Sequence, residues 1–106
     1  MVNNAAIQVL GGVTSLTRAD WNTTLAINLQ APFFLIQALL PQLESAKGSV
    51  VNISSIHAKL SKPNFVAYAT SKAALSGMTK AIALDLGERV RVNAIEPAAI
   101  ATDMLK

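Results

Sequence analysis

Two short apolar segments, residues 48–54 and 90–95, each follow a much longer segment with helical spacing. The short segments, GSVVNIS and VRVNAI, are rich in β-branched residues, which is typical of buried strands. Parallel strands need long crossover connections, and helices usually supply them. The alternation of long helices with apolar strands therefore predicts an α/β fold with a parallel sheet.

The first long segment carries signals for both ends of a helix. Thr17 and Asp20 have the spacing of an N-cap and an acidic first turn, so the helix is predicted from there to about Glu44. Pro41 and Gly48 are expected to mark its end. Apolar residues recur along it at intervals of three and four: Trp21, Leu25, Leu29, Phe33, Ile36 and Leu40.

The second helix is predicted from about Phe65 to Leu86, with Gly87 as its stop. Before the first helix the chain opens abruptly, with Met1 and Val2 as the end of a strand and residues 3–6 as the turn after it. This order of elements predicts a single partial domain over residues 1–106, taken from the middle of a larger sheet.

Composition narrows the class of protein. The chain is 52% hydrophobic and 14% charged, which is not the composition of a disordered chain. It has no cysteine, which excludes disulfides and thiolate metal sites and fits a reducing, cytoplasmic compartment. The net charge of +3 comes without a basic stripe, so no nucleic-acid partner is expected, and no metal cluster is visible. The longest apolar block, residues 26–40, is expected to be too short and too polar to span a membrane.

The segment YATSK places Tyr68 and Lys72 four residues apart in the second predicted helix. Side chains at i and i+4 lie on one face of a helix, so the phenol and the ammonium point the same way. A fixed ammonium favours the phenolate, and a phenol so tuned can give a proton to an alkoxide or take one from an alcohol. The residues around them are small and leave room for a ligand: Ala67, Ala69, Ser71 and Ala73.

Two hydroxyls precede this helix. Ser54 and Ser55 lie at the carboxyl end of the first apolar strand, the end at which α/β sheets bind ligands. Ser55 lies thirteen residues before Tyr68, and the loop between them is long enough to bring them together. A hydroxyl there can hold a substrate carbonyl oxygen as negative charge develops on it.

These residues resemble the motifs of the short-chain dehydrogenase/reductase family, and the resemblance covers nearly the whole chain. Residues 3–6 (NNAA) are similar to the family's NNAG turn, and Asn28 matches its helix asparagine. Ser55, Tyr68 and Lys72 match its catalytic serine, tyrosine and lysine. Residues 96–102 (EPAAIAT) resemble the P-G-x-I-x-T segment that lines the nicotinamide. The family's fold is a Rossmann-like, doubly wound parallel sheet, of which this chain resembles strands four to six with the two long helices.

The resemblance implies an NAD- or NADP-dependent oxidoreductase that transfers hydride between its cofactor and a small-molecule alcohol or ketone. Tyr68 is implied as the acid/base, Lys72 as the group that favours the phenolate and binds the nicotinamide ribose, and Ser55 as the group that orients the substrate oxygen. The cofactor-binding residues implied by the matched motifs are Asn4, Ala5, Ala6, Tyr68, Lys72, Pro97, Ala98, Ile100 and Thr102.

Asn28 is implied as the holder of a water that connects Lys72 to solvent. The residues offer a physical reason, because Pro32 has no N–H and its ring crowds the carbonyl four residues before it. If the helix continues through Pro32, the carbonyl of Asn28 is left free to bind a water.

This chain departs from the family's pattern. Ala6 and Ala98 stand where the family usually has glycine, and alanine strains the backbone wherever a positive φ is needed. The family's phosphate-binding turn, T-G-x-x-x-G-x-G, and its C-terminal substrate lid have no counterpart in the sequence.

His57 is expected to be a surface or pocket-lining group, because NISSI is not a nucleophile elbow. The stretch SSIHA resembles that of the family's glucose and 3-hydroxybutyrate dehydrogenases, and Gln8 sits where the latter place a substrate-binding glutamine. Gln8 and His57 are therefore substrate-binding candidates for a polar substrate such as a sugar or hydroxy acid. Phe65 stands where the hydroxybutyrate enzymes have a lysine.

Two functions stay open from the sequence. One is an NAD(P)-dependent oxidoreductase with its catalytic half present. The alternative is a truncated, catalytically inert fragment that acts at most as an oligomerising module. The family's two long helices form subunit interfaces, so the resemblance also implies a homo-oligomer.

Overall fold

The computed structural model describes residues 1–97, which form a three-stranded parallel sheet and two long helices. In chain order the elements are β1 (Val2–Asn3), helix α1 (Arg18–Ser45), β2 (Ser49–Ile53), a 3₁₀ turn (Ile56–Ala58), helix α2 (Val66–Leu86) and β3 (Arg91–Ile95). The α/β prediction is confirmed, and each predicted strand and helix is present.

β2 is the central strand of the sheet. Val51 lies opposite Val2 of β1, and Ser49 lies opposite Arg91 of β3, with both pairs parallel. Strand order follows chain order, and right-handed crossovers then place α1 and α2 on the same face of the sheet. The carboxyl ends of all three strands meet at one edge, which is where the predicted site residues follow them.

Alternate strand residues are buried beneath the helices. The core cluster consists of Ile36, Val50, Leu86, Val90 and Val92. Each large aliphatic side chain buried there contributes about 1.5–3 kcal/mol to holding the helices on the sheet. Val2 and Ile95 keep 65% and 50% of their surface exposed, so the prediction of buried strands holds for only one face.

α1 begins where the sequence indicates and then widens. Thr17 Oγ1 accepts the N–H of Asp20 at 3.0 Å, which confirms the predicted N-cap. Ala26–Gln30 form a π-helical turn, in which the N–H of Ala31 reaches back five residues to the carbonyl of Ala26. Pro32, which follows at once, cannot donate a hydrogen bond, and such interruptions are a common cause of π turns.

α1 ends at Ser45, which confirms the predicted end near Glu44, and it runs through Pro41 without a break. The helix continues to Ser45 because Leu43, beyond the proline, still packs against the core. It ends in a Schellman motif, with Lys47 at a φ of 52° and the N–H of Gly48 bonded to the carbonyl of Leu43 at 2.8 Å.

α2 ends at the predicted glycine. Gly87 has a φ of 58° and a ψ of −126°, a combination that glycine adopts without steric cost. Its N–H bonds the carbonyl of Ala83 at 3.0 Å, which closes the last turn.

α1 has 28 residues and, by length and composition alone, is long and apolar enough to cross a bilayer. The expectation that its apolar block is too short is therefore wrong about length. One such helix is weak evidence for a membrane span, because core helices pass the same test. Asn28, near its middle, is 1% exposed and hydrogen-bonds to Ile7 and Ser71, as in a helix packed against protein.

Candidate active site

The pairing of β2 with β3 continues past the strand ends. The N–H of Ser54 donates to the carbonyl of Ile95 at 2.7 Å, and the N–H of Ile56 donates to that of Pro97 at 3.0 Å. Ser54 and Ser55 are both buried. These bonds fix Ser55 at the carboxyl edge of the sheet, where the sequence places it.

The turn after Ser55 packs against Tyr68. Ser55 Oγ accepts the N–H of His57 at 3.1 Å and so caps the 3₁₀ turn. The His57 ring lies 4.7 Å from the Phe65 ring and 6.1 Å from the Tyr68 ring, with Phe65 and Tyr68 5.8 Å apart, all edge to face. His57 Nδ1 lies 3.0 Å from the carbonyl of Leu60. Because a carbonyl only accepts, Nδ1 carries the proton and Nε2 is the free ring nitrogen.

Tyr68 and Lys72 occupy the first two turns of α2, on one face as predicted. Lys72 Nζ lies 5.9 Å from the centroid of the Tyr68 ring and donates to the carbonyl of Ile53 at 2.9 Å. Lys72 is 3% exposed, and this burial lowers the pKa of its ammonium from 10.5. The carbonyl at the end of β2 thus holds the ammonium beside the phenol.

Asn28 clamps the chain that follows β1. Its Oδ1 accepts the N–H of Ile7 at 2.9 Å, and its Nδ2 donates to the carbonyl of the same residue at 2.9 Å. Nδ2 also reaches Ser71 Oγ at 3.1 Å, and that hydroxyl donates to the carbonyl of Tyr68 at 2.8 Å. No local pattern predicts this clamp, because Asn28 and Ser71 lie 43 residues apart in the sequence.

The other predicted residues follow β1 and β3. Asn4, Ala5, Ala6 and Gln8 are exposed beyond β1. Among residues 1–97 the only non-glycine residues with positive φ are Lys47 and Asn64, so alanine at position 6 is not strained in this way. Pro97 follows β3 and pairs with the Ser55 turn, whereas Ala98, Ile100 and Thr102 lie outside the described residues.

The donors present fit a sugar hydroxyl better than a metal ion. Lys72 Nζ has three N–H groups, and within residues 1–97 the carbonyl of Ile53 takes one of them. The others are available to hydroxyl oxygens such as those of a nicotinamide ribose. Across the same residues no three His, Asp or Glu side chains converge as metal ligands.

A second series of linked hydrogen bonds is not predicted by the sequence. Ser54 Oγ donates to the carbonyl of Lys72 at 2.9 Å, and Ser76 Oγ lies 2.9 Å from Ser54 Oγ and 3.0 Å from Glu96 Oε2. Glu96 Oε1 pairs with Lys59 Nζ at 3.2 Å. The one local signal was the spacing of Lys72 and Ser76, which puts both on one face of α2.

Comparisons with known proteins agree with this geometry. A family described as short chain dehydrogenase matches residues 1–106. "Probable galactose dehydrogenase GalD" of Rhizobium meliloti is 41% identical over 105 residues, which are 97% of this chain and 41% of that protein.

Two solved structures are similar over almost the whole chain. 4-Hydroxyisoleucine dehydrogenase complexed with NADH has a TM-score of 0.87 at 34% identity, covering 98% of this chain and 47% of its own. Gluconate 5-dehydrogenase from Burkholderia cenocepacia, in complex with NADP and tartrate, has a TM-score of 0.88 at 26% identity, covering 99% and 42%. The chain thus spans less than half the length of each of these three proteins.

Proposed function

This chain belongs to the short-chain dehydrogenase family, and on that premise we propose that it carries the catalytic centre of an NAD(P)-dependent oxidoreductase acting on secondary alcohols and ketones. One observation carries the proposal. Tyr68 and the buried Lys72 share one face of α2, and the turn that begins at Ser55 packs on Tyr68 through an aromatic cluster.

Each side chain has a distinct part in moving the proton. When bound, the nicotinamide supplies the acceptor or donor of the hydride. Tyr68 takes the hydroxyl proton of the alcohol during oxidation and returns it to the forming alkoxide during reduction. The Lys72 ammonium stabilises the negative charge that develops during proton transfer, and the Ser55 hydroxyl orients the substrate oxygen by a hydrogen bond.

Asn28 and Pro32 support a bound water through which the proton passes from Lys72 to bulk solvent. Pro32 has no N–H to donate to the Asn28 carbonyl four residues before it, which supports the binding of a relay water at that carbonyl. The side chain of Asn28 meanwhile holds Ile7, and through it the exposed turn that meets the cofactor.

We propose a polar substrate, a sugar or a hydroxy acid. Three of the similar proteins are named as dehydrogenases of galactose, gluconate and 4-hydroxyisoleucine, and each of these compounds carries several polar groups. Within this chain Gln8 is exposed beyond β1, and His57 presents a free Nε2 beside Tyr68. Both can hydrogen-bond a substrate hydroxyl or carboxylate.

The inert-module alternative has no support among these relatives, which are named as dehydrogenases. A homo-oligomer remains part of the proposal, because α1 exposes a run of large apolar side chains. They are Phe33, Phe34, Leu35 and Leu39. A cytoplasmic location fits the absence of cysteine.

The test is Tyr68→Phe in the natural gene product, assayed with NAD and NADP against galactose, gluconate and 4-hydroxyisoleucine. Turnover should fall by about 10²–10⁴-fold while the Kd for the reduced cofactor is unchanged, because only the hydroxyl moves the proton. Thr70→Val, which removes an exposed hydroxyl from the same helix, is the matched control. A loss below about tenfold contradicts the assigned role.

A further inference from the structure

We propose that Glu96 is a positioning residue of this centre, which fixes the Ser55 turn against α2 through the hydroxyl of Ser76 and the ammonium of Lys59. The inference rests on the proposed function and adds a residue that is not among the catalytic and cofactor-binding residues implied by the family resemblance.

The carboxylate of Glu96 contacts both α2 and the residue that follows the 3₁₀ turn. Glu96 directly follows β3, and its Oε2 accepts from Ser76 Oγ of α2 at 3.0 Å. Its Oε1 lies 3.2 Å from the Nζ of Lys59, which directly follows the 3₁₀ turn. Ser76 stands one helical turn after Lys72, so the bridge ends beside the catalytic face of α2.

The carboxylate of Glu96 also determines which of two acceptors receives the hydroxyl proton of Ser76. Ser76 Oγ is within 2.9 Å of Ser54 Oγ and 3.0 Å of Glu96 Oε2, but a hydroxyl has a single proton to donate. Ser54 uses its own proton on the carbonyl of Lys72. Hydrogen bonds from Lys59 and Ser76 lower the pKa of Glu96, and the charges of Lys59 and Lys80 lower it further. An ionised carboxylate forms the stronger, charge-assisted bond with Ser76.

The two arms of the bridge are unequal. The side chain of Lys59 is 73% exposed, and ion pairs so exposed to water contribute little. The Ser76 arm lies deeper and joins Ser54, which precedes the catalytic Ser55. The Ser76 arm should therefore carry most of the effect.

The amides of the turn report its order directly. The N–H of Ala58 donates to the carbonyl of Ser55 at 3.0 Å, and the N–H of Leu60 donates to the carbonyl of Ile56 at 2.9 Å. If Glu96 fixes the turn, losing its carboxylate lets these bonds open more often. Hydrogen exchange at these amides measures the opening without any need for turnover.

The experiment is amide hydrogen exchange on the natural gene product and its variants. Glu96→Ala and Ser76→Ala should each speed exchange at Ala58 and Leu60 by about tenfold, the loss expected for a charge-assisted hydrogen bond. The double variant should exchange no faster than either single one, because both remove the same bridge. Glu96→Gln, which keeps an oxygen acceptor for Ser76, should restore most of the protection.

Two further variants separate the bridge from a general loss of charge. Lys59→Met should change exchange by less than about threefold, as expected for an exposed ion pair. Glu44→Gln breaks the ion pair of Glu44 with Arg89, at 3.3 Å, beyond the amino ends of β2 and β3, and should leave the turn unchanged. Equal exchange in wild type, Glu96→Ala and Ser76→Ala overturns the proposal, as does the same acceleration in Glu44→Gln.

Kinetic measurements supply a second test of the proposal. Glu96→Ala should lower kcat by about tenfold to a hundredfold, the cost of misplacing a catalytic group, while the Kd of the reduced cofactor stays unchanged. Glu96→Gln should recover most of kcat. A wild-type protein that turns over no alcohol, but whose turn loosens in Glu96→Ala, would refute the proposed function and still support the positioning role of Glu96.

Discussion

Lys72→Met removes the ammonium from beside Tyr68 and leaves an apolar side chain of similar length. Nζ lies 5.9 Å from the centroid of the Tyr68 ring. At an effective dielectric constant of about 20, the attraction between the ammonium and a phenolate centred on that ring is about 2.8 kcal/mol. At about 1.4 kcal/mol per tenfold change in rate, its loss should lower kcat for alcohol oxidation by up to about a hundredfold.

The assay is kcat for alcohol oxidation by the natural gene product, with Lys80→Met as the matched control. Lys80 is exposed on the same helix two turns later, so its loss removes an equal charge away from the phenol. An unchanged kcat in Lys72→Met, or an equal loss in Lys80→Met, would refute the argument that the buried ammonium stabilises negative charge on Tyr68.

The same substitution has a signature in stability. Burial lowers the pKa of Lys72 in the folded state below 10.5, so between the two values the unfolded chain binds a proton that the folded chain does not. The free energy of unfolding therefore rises with pH across that window. Urea denaturation should detect this rise in wild type and its absence in Lys72→Met.

The other predictions concern the frame around the site. Asn28→Ala should lower the free energy of unfolding in urea by about 2–4 kcal/mol, because three internal hydrogen bonds are lost, whereas the exposed Asn22→Ala on the same helix should not change it. Gly77→Ala inside α2, where a new methyl meets nothing within 4 Å, should raise stability by about 1 kcal/mol. Gly87→Ala should lower it by at least about 1 kcal/mol because of its positive φ. Pro32→Ala should give the Asn28 carbonyl an N–H partner and slow proton relay, and an unchanged rate with an unchanged solvent isotope effect would count against this account. Residues 1–106 expressed alone should self-associate and fail to bind NADH or NADPH; a monodisperse monomer in light scattering, with micromolar cofactor affinity, would show the opposite.

Local signals predicted the elements well, since they depend on neighbours in the sequence. Thr17 caps α1, Gly87 ends α2, and the β-branched runs form β2 and β3. Pro41 does not end α1, because a proline costs only one helical bond and the packing of Leu43 on the core outweighs that local cost.

Spacing on one helix predicted that Tyr68 and Lys72 share a face, and the structure agrees. The bonds that hold them could not be predicted, since their partners lie far apart in the sequence. Asn28 and Ser71 are 43 residues apart, and Ser76 and Glu96 are 20 apart. Such pairs form only when the helices dock, and no pattern along the chain marks them in advance.

Ser54 and Ser55 are adjacent in the sequence, and their hydroxyls form different hydrogen bonds. The hydroxyl of Ser54 holds the backbone of α2, and that of Ser55 caps the turn beneath Tyr68. Because strand residues alternate in direction, inserting one residue in β2 would move Ser54 to the position of Ser55 and put Ile53, which has no hydroxyl, at the position of Ser54. A change of length in this stretch should therefore break the bond to α2, whichever residue is inserted. Loop grafting from other dehydrogenases, to alter substrate preference, should therefore replace residues 58–64 and leave residues 49–57 uncut.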